Sequence, residues 1–174
     1  EKGIAQLAIS TNPKYTELGL PTTFRLVAND RLQAKAIGSY SAAQFPATRY
    51  ATVDDSTPYG KDLAAGAAVE LKKAKKEVVV QQSFDEKNVK FDEFAKKLQD
   101  EKVEALVSTL SDFQLLALLD ALHKINYTRI IVVGSDTVKT PDMIKGADLV
   151  PGLYVTSPIL EPREFSAGAA FLDK

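Results

Sequence analysis

The chain has 174 residues, 45% of them hydrophobic and 26% charged, the make-up of a globular domain with a buried core. Its 22 Lys and Arg stand against 23 Asp and Glu for a net charge of −1, so it lacks the basic excess that a nucleic-acid or anionic-membrane surface requires. Cysteine is absent, which removes disulfides, thiolate catalysis and cysteine-ligated zinc together, and no apolar run is long enough to cross a bilayer.

In chain order, the first apolar run is Ile4–Ile9, followed by the turn sequence Thr11-Asn12-Pro13. A helix is predicted over Asp30–Phe45 and a buried strand over Tyr50–Asp54. That strand runs straight into two carboxylates and a capped turn, with Thr57 suited to the N-cap and Pro58 to the first helical position. Leu63, Ala67 and Leu71 mark the apolar face of the helix that follows. Further strands are predicted at Glu77–Gln81, Ala105–Thr109, Arg129–Gly134 and Gly152–Ser157. Between them lie a helix with Phe91, Phe94, Ala95 and Leu98 on one face and another with Leu115, Leu118, Leu119 and Leu122. Ser111 with Gln114 forms a capping box at the start of the latter. A short helix is expected after Pro141 and another from Phe165, and neither end of the chain is expected to complete a βα unit with its neighbour.

Val- and Ile-rich strands alternating with helices imply an α/β fold, a parallel sheet flanked by helices on both faces. Right-handed crossovers place every strand-to-helix turn along one edge, and in open sheets of this kind ligands bind there.

The order of landmarks is specific. Ser10-Thr11-Asn12-Pro13, then Thr16 and Phe24-Arg25, Asp55 and Tyr59-Gly60, Gly134-Ser135-Asp136, and Gly152-Leu153-Tyr154-Val155-Thr156 together resemble the periplasmic leucine/isoleucine/valine-binding protein family. Its members are the substrate-binding components of branched-chain amino acid ABC importers. The resemblance implies a type I periplasmic binding fold, two Rossmann-like lobes joined by crossing strands with the ligand trapped between them. On that pattern the chain is a fragment. Residues 1–25 are a remnant of the first lobe, 26–157 the second lobe, and 158–174 the crossover and start of the return.

The same resemblance suggests where a ligand is held. Ser10 and Thr11 lie in the segment that holds the ligand's α-carboxylate, and a hydroxyl with local backbone N–H groups suits that task. Tyr59 matches an aromatic residue that closes over the ligand. Asp136 matches a glutamate that receives the α-ammonium group, with a reach one methylene shorter. Ser111 and Asp112 stand where members that bind aliphatic amino acids commonly carry glycine and tyrosine. The implied partners are a small amino acid or related metabolite and an ABC permease in the membrane, with no nucleic acid, no cofactor and no catalysis. The implied location is the periplasm, or a lipid-anchored extracellular position in a Gram-positive source.

Two other readings start from the same residues. One is an extracellular ligand-sensing domain of a receptor or regulator with this fold. The other is an α/β enzyme using the acidic strand ends, with Mg²⁺ at Asp54 and Asp55. A receiver-domain pocket would also need an aspartate at the end of the third strand, where Ser108 and Thr109 stand. His123 is the single histidine and has no neighbouring ligands in the sequence, and the sequence holds no GxGxxG, GxxxxGK[ST] or GxSxG motif.

Overall fold

The computed structural model describes residues 3–165 together with Gly168 and Leu172, with the backbone alone at Lys145. The helix expected from Phe165 onward falls largely on residues outside the described ones.

The chain opens with two short strands, β1 (Gln6–Ala8) and β2 (Thr23–Arg25), joined through the four-residue helix α1 (Lys14–Glu17). They pair in parallel, from Gln6 opposite Thr23 to Ala8 opposite Arg25. This corrects the expectation that the N-terminal end completes no such unit: strands of three residues are too short to show a period in sequence.

Helix α2 (Asp30–Gln44) follows, started by Asn29, whose side-chain oxygen accepts from Leu32 N at 3.0 Å. The remaining elements are β3 (Arg49–Asp54), α3 (Pro58–Lys73), β4 (Glu77–Ser83), α4 (Asp92–Asp100), β5 (Ala105–Thr109), α5 (Asp112–Lys124), β6 (Ile131–Gly134), α6 (Pro141–Gly146) and β7 (Gly152–Val155). The five strands β3 to β7 make one all-parallel sheet in the order β4-β3-β5-β6-β7. All five predicted strands are present with ends shifted slightly. Pairing decides the ends: β4 runs on to Ser83 because Ser83 still faces Asp54, and β7 stops at Val155, opposite the last residue of β6, Gly134.

Helices cover both faces, as the α/β reading requires. Tyr50, Ala105, Val107 and Val133 pack against Ile37 of α2 and Leu63, Ala67 and Leu71 of α3. Their strand neighbours Ala51, Val53, Leu106 and Val132 point the other way, onto Phe94 and Leu98 of α4 and Leu115, Leu118 and Leu122 of α5. Near-continuous apolar strands are what burial on both sides demands.

Helices α2 and α3 meet almost backbone to backbone. A Cβ on Gly38 would lie 2.6 Å from the Ala67 carbonyl oxygen and from Glu70 Cβ, and one on Gly66 would lie 2.7 Å from Ala34 Cβ. Small residues at the crossing are therefore a requirement of the packing.

The chain leaves β3 outward to the edge strand β4, then crosses back past β3 to β5. The turns after β3 and β5 therefore part from one another, leaving a crevice at the carboxyl ends of the strands.

Candidate functional site

A cavity of about 480 Å³ lies where that edge meets the segment following β1, lined among others by Ser10, Thr11, Asp30, Tyr59, Asp62 and Asp136. Four of the six residues singled out from the sequence thus share one cavity, although they come from three distant parts of the chain. Ser111 and Asp112 do not line it.

The turn after β3 sets Tyr59. Asp54 Oδ1 accepts from Ser56 N at 2.9 Å, and its other oxygen accepts from the Ser83 hydroxyl at 2.8 Å. Asp55 Oδ1 accepts from both the backbone N (3.1 Å) and the hydroxyl (2.6 Å) of Thr57, which in turn caps α3 by accepting from Gly60 N at 3.0 Å. Ser56 adopts a φ of 65°, a left-handed conformation that a non-glycine residue takes only when its surroundings hold it there. Thr109 clamps the turn to β5 by donating to the Gly60 carbonyl at 2.9 Å. The two carboxylates considered for Mg²⁺ are thus used in building the turn that starts α3. With Thr57 at the N-cap and Pro58 next, Tyr59 is carried at the first turn of the helix and reaches into the cavity.

Asp136 follows β6 in a short 3₁₀ turn. Its Oδ1 accepts from the Tyr59 hydroxyl at 2.5 Å and from Gln33 Nε2 at 2.6 Å. Gln33 donates again to the Thr156 hydroxyl at 2.9 Å. Because the carboxylate can only accept, the Gln33 amide must turn its nitrogen toward Asp136. Burial, and then the hydrogen bond to Asp136, push the Tyr59 phenol well above its ordinary range, so it stays a donor.

Opposite, the Thr11 segment is held by Arg25, which donates to the carbonyls of Thr11 (3.2 Å) and Pro13 (3.1 Å) and to the Thr16 hydroxyl (2.5 Å). The backbone N–H of Asp30 donates to the same Thr11 carbonyl at 2.9 Å. The Asp30 side chain is 8% exposed. Burial raises its carboxyl above the usual range, and the negative charges of Asp136 and Asp62 act in the same direction. Hydrogen bonding from Thr11 and the charge of Arg25 oppose it.

Ser111 and Asp112 stand at the end of β5 and serve α5. Ser111 forms the expected capping box, its hydroxyl oxygen accepting from the Gln114 backbone N–H while Gln114 Oε1 accepts from Ser111 N at 3.4 Å, and Asp112 Oδ1 accepts from Phe113 N at 2.8 Å. Sequence reasoning missed Asp30 and Gln33 as parts of the site. The available signal was two polar residues one helical turn apart on the face that also carries the buried Ala34 and Ile37. Among the described residues no group of three or more His, Cys, Asp or Glu is placed to hold a metal ion.

A family model described as periplasmic binding protein matches residues 2–174. The Leu/Ile/Val-binding protein homolog 1 of Brucella melitensis is 43% identical over 65 residues, which cover 37% of this chain and 18% of that protein. A leucine-binding protein from Thermotoga maritima superposes with a TM-score of 0.85 at 18% identity, over 98% of this chain and 49% of that one. A solute-binding protein of an ABC transporter from R. palustris, in complex with benzoate, superposes with a TM-score of 0.73 at 16% identity, over 88% of this chain and 42% of that one. The chain thus spans no more than about half the length of the proteins it matches.

Proposed function

The chain belongs to the periplasmic binding protein family, and on that footing we propose that it acts as the substrate-binding part of an ABC importer, taking an amino acid or similar small polar metabolite into the cleft. The observation that carries this reading is the convergence of Ser10 and Thr11, Tyr59 and Asp136 on one cavity at the sheet's carboxyl edge. A solute needs a donor-rich end for its carboxylate, an apolar wall and an acceptor for its ammonium group, and these three regions offer them in turn.

In the proposed mechanism the solute is first held near Ser10 and Thr11. Tyr59 and Asp136 then engage it from the far wall, the ligand's ammonium taking the acceptor sites that the phenol shares at Asp136. Excluding water strengthens each charged contact. The loaded protein would deliver its solute to a membrane permease without covalent chemistry. The family's setting is the periplasm or the outside of the cell, lipid-anchored in the latter case.

The test is a thermal-shift screen of the purified chain against L-amino acids, their amides and small aromatic acids. A ligand bound only to the native state raises the midpoint with concentration. A saturable rise that Asp136→Ala removes supports the reading; no rise with any of these solutes refutes it.

A further inference from the structure

Resting on that reading, we propose that Gln33 is a positioning residue: anchored by Thr156, it aims the Asp136 carboxylate into the cleft without itself touching the solute. Gln33 lies on α2, is 5% exposed and does not line the cavity. Its amide nitrogen donates to Asp136 Oδ1 at 2.6 Å and to the Thr156 hydroxyl at 2.9 Å. That nitrogen carries two hydrogens, and each has its own acceptor. Turned over, the group would set its oxygen against the carboxylate, so one orientation is fixed. Asp136 stands in a turn of three residues, and what aims its side chain comes from elsewhere in the fold. Tyr59 of α3 and Gln33 of α2 donate to the same oxygen, Oδ1. Two donors arriving from different helices hold the carboxylate in place, and Oδ2 is the oxygen they leave for the cavity.

Thr156 gives Gln33 its purchase. The Thr156 backbone N–H donates at 3.2 Å to the carbonyl of Gly134, two residues before Asp136. Two residues beyond Thr156, the Pro158 carbonyl accepts from Ala28 N–H at 3.1 Å, just ahead of α2. The start of α2, the end of β7 and the turn after β6 are thus stitched together, and Gln33 is the side chain that bridges them. Stability does not account for it. Gln33 Oε1 is buried with no donor among the described residues, a cost that an apolar side chain of the same length would avoid. A polar residue kept at such a cost, with its nitrogen on the site carboxylate, points to the site it serves.

The experiment is isothermal titration of the purified chain with the L-amino acids and with benzoate, the tightest binder then being carried through the variants. Gln33→Met keeps the length and removes both donors. It is expected to weaken binding on the order of 10- to 100-fold while leaving the unliganded chain's melting temperature unchanged or higher. Thr156→Val keeps the shape and removes the anchor, for a smaller loss of roughly 3- to 10-fold. Tyr59→Phe removes the other donor to Oδ1. After either single loss one donor still holds the carboxylate, so the pair Gln33→Met and Tyr59→Phe is expected to exceed the product of the single losses by at least about threefold. A merely structural role of Gln33 would lower the melting temperature and give losses that simply multiply. Affinity within about twofold of the parent in Gln33→Met overturns the proposal. A loss matched by a falling melting temperature overturns it, as does a double-variant loss no larger than the product. Each of these leaves the solute-binding reading intact, whereas a parent chain that binds no probe overturns both.

Discussion

Replacing Gly38 by alanine tests whether the α2–α3 crossing is as close as it stands. The new methyl would lie 2.6 Å from the Ala67 carbonyl oxygen and from Glu70 Cβ, about 0.8 Å short of ordinary contact. The obstruction includes a main-chain oxygen, so the helices themselves must separate. Overpacking of this kind costs roughly 1–3 kcal/mol. Alanine's better helix propensity returns roughly 0.5–1 kcal/mol. The net loss is then about 0–2.5 kcal/mol, or a fall of up to roughly 10 °C in Tm for a chain of this size. Calorimetry or circular dichroism measures it directly. Gly66→Ala supplies the control: its obstruction is the Ala34 methyl, so adding Ala34→Gly is expected to recover about 1 kcal/mol in a double-mutant cycle. A Gly38→Ala chain that melts above the parent would show that propensity outweighs packing and would refute the close crossing. The consequence reaches the site, because α2 carries Asp30 and Gln33 while α3 begins at Tyr59.

Two further outcomes follow from particular contacts. Tyr50 is fully buried and donates to the Ser41 carbonyl at 2.9 Å, so Tyr50→Phe is expected to lose about 1 kcal/mol at pH 7 in urea unfolding. Burial first, and Glu104 second, push its phenol up to about 12, so the unfolded chain releases this proton near pH 10 while the folded chain holds it. Stability therefore falls as pH rises from about 10 to 12, and Tyr50→Phe flattens that slope without abolishing it, because the Tyr59 and Tyr127 phenols are raised as well. An identical alkaline slope in the variant would refute the assignment. At the site, a Cβ on Gly134 would collide with the Val138 side chain in the turn that carries Asp136, so Gly134→Ala is expected to weaken solute binding at least tenfold by titration calorimetry. Unaltered affinity would show that this turn does not position Asp136.

Much of the fold was legible because its causes are local. Val- and Ile-rich runs with Gly134 or an acidic residue at the end, Thr57-Pro58 at a helix start and the Ser111–Gln114 pair each act within a few residues, and each stands where it was expected. The order of the same landmarks also pointed to the family. The β1–β2 pairing was not legible, since three residues against three carry no period. Nor was the way polar residues are shared out at the site. Ser111 and Asp112 lie at the right sheet edge, yet the capping box turns one to its own helix and Asp112 accepts from the next backbone N–H.

The sequence by itself determined the alternation of strands and helices, the sheet's parallel sense and the edge at which a ligand would sit. Only the tertiary structure decided which side chains meet there. Tyr59 reaches Asp136 across 77 residues and Gln33 reaches it across 103, because the crossovers bring the ends of β3 and β6 and the start of α2 to one place. Periodicity and capping are short-range effects, whereas the burial that leaves Asp30 and Gln33 with idle acceptors arises only once distant elements have packed.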